Sequence, residues 1–305
     1  MDLSIIIPTF NRAETLRECL ARLLDSAEGT SHEIIVVDDG SADHTRTVVE
    51  EAQQNQPQIK YIFQENAGQG IARNKGISES EGHVVMFIGD DMLATSDLIK
   101  EHLSSHEANP SMQHACLGAV DWDPEHEITT AMKWSTNEHK FLNRFGGHQF
   151  AFDKLSTGTK PDYNFFYTSN ISLKKDMLGE DGFDPEFKGY GWEDIELGYR
   201  LQKKGMQLEF NPKAVVHHRH RITLEDLKKR MEKIGSAVHI FNRKHPELKK
   251  VPGIGKQIIF RILSNPISLA ILRTLDVLSL HILRPVYLYA LSKKHFLIGL
   301  KNKIS

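Results

Sequence analysis

The sequence predicts an α/β fold: a doubly wound, mostly parallel sheet followed by a carboxyl-terminal helical appendage. Three observations carry this expectation. Short apolar runs recur as LSIII (Leu3 to Ile7), EIIVV (Glu33 to Val37), IKYIF (Ile59 to Phe63) and VVMFI (Val84 to Ile88). Runs of this kind suit strands covered on both faces. Segments with apolar residues at helical spacing separate them, and strands alternating with helices mean βαβ units in a parallel sheet. Finally, Thr9, Asp39, Asn66 with Gly68, and Asp91 follow four consecutive strands. Those are carboxyl ends, where an open α/β sheet binds its ligand.

In chain order, Pro8 closes the first strand, and Asn11 with Glu14 three residues on suggests a helix start. Leu16, Leu20, Leu23 and Leu24 then recur at helical spacing. After the second strand, Ser41 or Asp43 can cap a helix carrying Val48, Val49 and Ala52. The third strand leads through Asn66-Ala67-Gly68-Gln69-Gly70 into a helix with Ala72, Arg73 and Ile77. CLGAV (Cys116 to Val120) reads as a strand, and the polar, glycine-dotted stretch from Trp122 to Lys160 as loops. TSNISL (Thr168 to Leu173) alternates like a strand; a helix begins at Glu193-Asp194, and LEF (Leu208 to Phe210) and AVV (Ala214 to Val216) read as two short strands. The expected domains are residues 1–221 and a basic, apolar helical tail over 222–305.

The composition is that of a soluble globular protein, with 40% hydrophobic and 26% charged residues. Two cysteines, Cys19 and Cys116, in apolar patterns suggest reduced core thiols rather than a disulfide framework. The first strand begins at Leu3 and leaves no room for a leader, so a cytoplasmic protein is expected. The net charge of −2 divides unevenly. Residues 1–218 carry 20 Lys and Arg against 35 Asp and Glu, a net of −15; residues 219–305 carry 18 against 5, a net of +13. An acidic first part suits a metal–phosphate site and argues against nucleic acid.

The fourth strand runs into Gly89-Asp90-Asp91. Adjacent carboxylates repel, and a divalent cation gives them a reason to sit together. Hard Mg²⁺ or Mn²⁺ is held by one or two carboxylates plus phosphate oxygens. Pro8-Thr9-Phe10-Asn11 stands where a dinucleotide-binding G-x-G-x-x-G would be, and no G-x-x-x-x-G-K-[ST] occurs. Redox and P-loop functions lose their main support.

Four segments, SIIIPTFNR (Ser4 to Arg12), EIIVVDDGS (Glu33 to Ser41), NAGQGIARNKGI (Asn66 to Ile77) and FIGDDM (Phe87 to Met92), together resemble the nucleotide-sugar half of family-two glycosyltransferases of the GT-A fold. FKGYGWEDIELGYRLQKKG (Phe187 to Gly205) resembles their second half, and also the carboxyl-terminal segment of galactosyltransferase-type enzymes. The resemblance covers roughly Asp2 to Arg221. It implies a GT-A-like sheet and a metal-dependent, inverting transfer of a sugar from a nucleoside diphosphate, UDP by expectation, to a glycan or lipid-linked glycan.

By the same resemblance, Pro8 and Thr9 rim the nucleotide pocket, Asp39 accepts a hydrogen bond from the base, and Arg73 lies behind the nucleotide. Asp38 and Asp39 would also form a capped turn unaided, and Arg73 could instead pair with one of them. Asp91 matches the metal-binding Asp of the family's Asp-x-Asp motif and Asp90 its middle position, while Gly89 replaces the first carboxylate. Asp194 matches the general base, Glu193 orients the site or touches the acceptor, and Trp192 is expected to stack on sugar. A strand-end histidine is expected as a further ligand to Mn²⁺ or Mg²⁺: His217 by position, with His218 the alternative. Two rival functions stay open, a non-catalytic nucleotide-sugar-binding protein and a sugar nucleotidyltransferase; the latter would want a glycine- and arginine-rich loop after the first strand.

The tail carries Ile254, Ile258, Ile259, Ile262 and Leu263 before Pro266, then Ile267, Ile271, Leu275 and Leu278. Arg261, Arg273 and Asp276 interrupt them, so no uncharged run approaches the ~20 residues of a spanning helix. Attachment to a membrane surface is expected, or else packing on the first domain or a dimer contact. The oligomeric state stays open.

Overall fold

The computed structural model describes residues 1–302 except 137–141, 148, 151, 156–159, 180–181 and 190. It divides into two compact units. The first comprises residues 1–126, 155–188 and 193–220; the second comprises 127–154, 189–192 and the described part of 221–305. The second unit thus takes in two segments from within the span assigned above to the first domain.

The first unit is built from β1 (Leu3–Thr9), α1 (Ala13–Ser26), β2 (His32–Asp38), α2 (Thr45–Asn55), β3 (Ile59–Phe63), α3 (Gln69–Glu79), β4 (Val84–Ile88), β5 (Met92–Ala94), α4 (Leu98–Ala108) and β6 (His114–Trp122). The chain then gives α5 (Thr130–Ser135) to the second unit, and returns with β7 (Asn170–Lys174), α6 (Lys175–Leu178), α7 (Glu193–Lys203) and β8 (Gln207–His218). The strands form one sheet in the order β3-β2-β1-β4-β7-β6-β8-β5. β3, β2, β1 and β4 run parallel, β7 runs antiparallel to both neighbours, and β6 and β8 are again parallel. The doubly wound sheet expected from the sequence is therefore present.

Its core is the apolar runs themselves. Ile5 to Ile7, Ile34 to Val37 and Val85 to Ile88 are fully buried, because α1 and the other helices cover the sheet. Burying each such side chain contributes roughly 1.5–3 kcal/mol. α1 turns Leu16, Leu20 and Leu23 inward, as their spacing predicts, with Cys19 beside them, while Leu24 is only half-buried. The start of α1 differs from expectation. Asn11 adopts a left-handed backbone (φ 53°) and its side chain caps nothing in α1. Instead its Oδ1 accepts from the Ala42 amide at 2.7 Å, tying the first loop to the second, while Asp43 accepts from the amides of both Ala13 and Thr45.

β8 also differs, being one strand where two short ones were expected. Its pairing with β6 slips between Gly118↔Asn211 and Ala119↔Val215. Pro212, which has no N–H for the ladder, sits in that bulge. Asn170 Nδ2 donates to the carbonyl of Ala214 there at 2.9 Å.

In the second unit, α5 is followed by α8 (Leu224–Lys244), α9 (Ile254–Leu263), α10 (Pro266–Leu278) and α11 (Arg284–Lys301). Thr223 and Asp226 make a reciprocal capping box at the start of α8. α8 and α11 meet almost backbone to backbone: a Cβ on Gly299 would lie 1.9 Å from the Glu232 carbonyl, and one on Gly235 2.2 Å from that of Phe296. Val238, Phe260, Phe296, Leu297 and Leu300 form the core around that contact.

Candidate active site

The carboxyl ends of β1, β2, β4 and β8 lie along one edge of the sheet, and the polar residues that follow them face one another there. At the end of β4, Asp90 and Asp91 are both buried. Thr9 Oγ1 donates to Asp90 at 2.9 Å, and Arg12 Nη1 reaches Asp90 at 2.8 Å and Asp91 at 2.6 Å. At the end of β8, His218 Nε2 lies 3.3 Å from Asp91 Oδ2. Its imidazole stacks on Trp122, ring centres 5.2 Å apart, and the Arg219 amide donates to the Asp91 carbonyl at 2.8 Å. Arg219 itself is held by Asp123 at 2.6 Å, Glu125 at 3.0 Å and Glu18. The histidine and the carboxylate are thus clamped together from both sides.

Of the two histidines left open by the sequence, it is His218 that comes to Asp91. Successive strand residues alternate faces, so His217, one residue earlier, pairs across Leu93 and Asp121 with its side chain on the opposite face.

Electrostatics follow from this packing. Burial, reinforced by the Asp91 charge, pushes the Asp90 carboxyl up to about 6, against Arg12 and Thr9, which favour its ionised form. Burial alone would raise Asp91 too, but His218 and Arg12 hold it well below the usual carboxylate range. Gly89 leaves room for this arrangement. A Cβ there would stand 3.0 Å from Asp91 Oδ1 and 3.3 Å from Met92 Cγ, so a side chain would press on the carboxylate.

Asp38 and Asp39 close the neighbouring end of β2. Asp38 accepts from the Ser41 amide at 2.8 Å and the Tyr61 hydroxyl at 2.7 Å. Asp39 accepts from Gln64 Nε2, the Ala67 amide and the Gly68 amide at 2.7–2.9 Å. Both carboxylates shape the turns around them. Pro8 is the penultimate residue of β1, and Thr9 is tied to Asp90.

A second acidic pair begins α7. Asp194 Oδ2 accepts from the Thr168 amide at 3.1 Å and the Thr168 hydroxyl at 2.8 Å, just before β7. Its Oδ1 is buried, accepts no hydrogen bond among the described residues, and lies 3.8 Å from Arg73 Nη1. Arg73 is buried over the Phe183 ring and pairs with neither Asp38 nor Asp39. Glu193 is buried, takes a hydrogen bond from Gln69 Nε2, and is pushed up to about 7 by burial and by Asp194. Arg200 pairs with Glu196 at 2.9 Å instead of with Asp194.

Trp192 belongs to the helical unit, where its indole Nε1 donates to the Ile234 carbonyl at 2.9 Å and its ring packs on Phe241. That packing is an engagement other than the sugar stacking expected from sequence. Tyr190 lies outside the described residues.

Sequence reading missed Arg12, Gln69, Trp122 and Thr168. Arg12 follows Asn11 in the first loop and reaches the end of β4 from there; nothing in the local pattern marks the other three.

Asp91 and His218 suit a divalent cation. Two ligands each about 2.1 Å from one ion stand roughly 3 Å apart, and these two atoms are 3.3 Å apart. Among the described residues no cluster of three or more His, Cys, Asp or Glu forms a complete cage. Remaining positions would fall to phosphate oxygens and water, the usual arrangement for Mg²⁺.

A doubly wound sheet whose carboxyl edge carries a buried acidic pair, a strand-end histidine and a second carboxylate pair is a GT-A-like architecture. The chain belongs to glycosyl transferase family 2, whose model matches residues 4–161; the model described as glycosyl transferase family group 2 matches residues 110–292. It is 31% identical over 268 residues to validoxylamine A glucosyltransferase of Streptomyces hygroscopicus, covering 81% of this chain and 61% of that protein. It is 36% identical over 193 residues to GalNAc(5)-diNAcBac-PP-undecaprenol beta-1,3-glucosyltransferase of Campylobacter jejuni, covering 59% and 61%. The chain spans about three fifths of the length of the curated relatives it matches.

Among solved structures, mannosyltransferase PcManGT of Pyrobaculum calidifontis, in complex with GDP-Man and Mn²⁺, superposes with a TM-score of 0.62 at 15% identity, covering 99% of this chain and 86% of that one. S. aureus TarS 1-349, in complex with UDP, gives 0.54 at 18%, covering 99% and 91%. At these identities the likeness establishes the fold alone.

Proposed function

We propose that the protein is a metal-dependent, inverting glycosyltransferase that moves a sugar from a nucleoside diphosphate, with UDP the expected base carrier, to a glycan or lipid-linked glycan. The observation that carries this reading is the pairing, on one sheet edge, of a cation-ready Asp91–His218 pair with an Asp194 oxygen that accepts no hydrogen bond. Family membership and the nucleotide complexes of the structural neighbours support it. The Campylobacter relative, named for an undecaprenol-linked acceptor, supports the lipid-linked class of acceptor.

In this mechanism Asp91 and His218 would hold Mn²⁺ or Mg²⁺ against the donor's diphosphate, supplying Lewis-acid stabilisation of the leaving group. Arg12 bridges the two aspartates and supplies positive charge beside them. Thr168 fixes Oδ2 of Asp194, and the Asp194 carboxylate would take the proton of the acceptor hydroxyl. That hydroxyl oxygen bonds to the anomeric carbon as the bond to diphosphate breaks, which inverts the centre in one displacement. Glu193, pushed up to about 7 by burial and by Asp194, carries only part of a negative charge at neutrality.

Calorimetry with UDP, with and without Mn²⁺, beside a hydrolysis assay on UDP-sugars, tests the proposal. Metal-dependent binding with turnover is expected. Binding without turnover on any donor would leave a nucleotide-sugar-binding protein, and release of pyrophosphate from a sugar phosphate and UTP would indicate a nucleotidyltransferase.

A further inference from the structure

Within the helical unit, the described residues leave one face of α9 and α10 exposed. Ile254, Ile258, Ile262, Ile267, Ile271 and Leu278 are between 48% and 80% exposed, far more than isolated surface apolar residues require. The inward sides of the same helices are committed: Phe260 sits in the core beside α8 and α11, and Leu269 packs with Ala290 and Leu291. The outward side chains are therefore not a misplaced core.

Charge on this face has one sign. Lys256, Arg261 and Arg273 are exposed among the isoleucines. From Gly253 to Ser305 the sequence holds eight Lys and Arg and a single acid, Asp276. Asp276 is buried and bound to Arg284 at 2.8 Å, so it offers nothing to a partner. A second copy meeting this face through its own would set cation against cation with no carboxylate to pair them. A surface that is apolar in depth and anionic at its rim has no such conflict.

Helix length decides how deep the contact goes. At 1.5 Å per residue α9 is roughly 15 Å long and α10 roughly 20 Å, against a hydrocarbon core of ~30 Å. The two helices meet at a 55° bend, and among the described residues no single helix is long and apolar enough to cross a membrane. Although the bent pair has the length to do so, Lys256, Arg261 and Arg273 are exposed along it and favour a place at the interface. We infer that the α9–α10 elbow is a monotopic anchor, which lies in one leaflet of an anionic bilayer with its isoleucine face among the acyl chains and Lys256, Arg261 and Arg273 at the phosphates. The conclusion is independent of the transferase reading, because it concerns lipid binding by the helical unit alone.

Flotation of the full chain with vesicles tests it. Binding to equal parts phosphatidylcholine and phosphatidylglycerol should exceed binding to phosphatidylcholine alone, and should weaken with added salt. Arg261→Gln with Arg273→Gln should lower the affinity for anionic vesicles roughly 10- to 30-fold. Ile258→Ser, Ile262→Ser, Ile267→Ser and Ile271→Ser together should lower it at least ~10-fold on both compositions while leaving the circular dichroism unchanged, since these side chains point away from the core. Equal binding to both vesicle types, or variants that bind like the parent, would overturn the inference. So would light scattering that shows a dimer dispersed by the serine variant, which would assign the face to a second copy.

Discussion

Arg12 holds the acidic pair of the site together. Two carboxylates buried side by side need a cation, and in this structure the guanidinium provides it. Arg12→Gln should therefore destabilise the ion-free protein by about 2 kcal/mol, less than the 3–5 kcal/mol of a fully buried pair because the side chain is part-exposed. The same variant should gain more from Mn²⁺ than the parent does, since no resident cation competes. Thermal melts in EDTA and in Mn²⁺ check this; an equal Mn²⁺ shift in both proteins would contradict it. Asp194→Asn should keep donor affinity, because the Thr168 bonds survive, yet slow transfer by roughly 10²–10⁴-fold. A collapse of donor binding instead would make Asp194 a binding residue. Asp39, Asp90 and Asp91 stood out in the sequence because they follow apolar strands, and Asp194 through the family resemblance. Arg12 and Thr168 did not, because what matters for them is which strand ends become neighbours. His218 could not be told from His217 for a related reason, since the choice of face depends on strand register.

The strands and helices were readable wherever periodicity was strong, as in β1, α1, β2 and β4. What failed were features set across elements: the Asn11 bridge between loops, the single bulged β8, and the buried network between α4 and β7. In that network His102 bonds Ser172 Oγ and Asn170 Oδ1, each at 2.8 Å, and His106 bonds the same Ser172 Oγ at 2.8 Å. Asn170 and Ser172, on β7, are the partners of these buried rings. Burial holds His102 down to about 4 and His106 to about 3, the latter also through His114. The unfolded chain, with ordinary histidines near 6.5, binds more protons below that pH. The stability these two rings contribute is full above pH 6.5 and falls as pH drops toward 4, by about 2 kcal/mol for each ring at pH 5. Asp90 and Glu193, raised to about 6 and about 7, change in the opposite direction. The test is therefore the difference between parent and variant: urea unfolding at pH 7.5 and pH 5 should show His102→Gln losing about 2 kcal/mol less than the parent on acidification. A stability difference between parent and His102→Gln that is the same at both pH values would contradict it.

At the scale of the whole chain, the division of charge between residues 1–218 and 219–305 was visible in composition alone, and both halves of it have structural counterparts. The negative half carries the acidic sheet edge, and the positive half the basic, isoleucine-faced elbow. Only side-chain exposure distinguished that elbow from a buried helical hairpin, because apolar periodicity looks the same in both. The central claim is that Asp91 serves a metal-dependent sugar transfer. It is tested most directly by scoring a panel of nucleotide sugars for hydrolysis in Mn²⁺ and in EDTA, with the parent and Asp91→Ala side by side. The account predicts turnover of at least one nucleoside diphosphate sugar by the parent, abolished by EDTA and by Asp91→Ala, with the variant's fold intact. Turnover that persists undiminished in Asp91→Ala would contradict it.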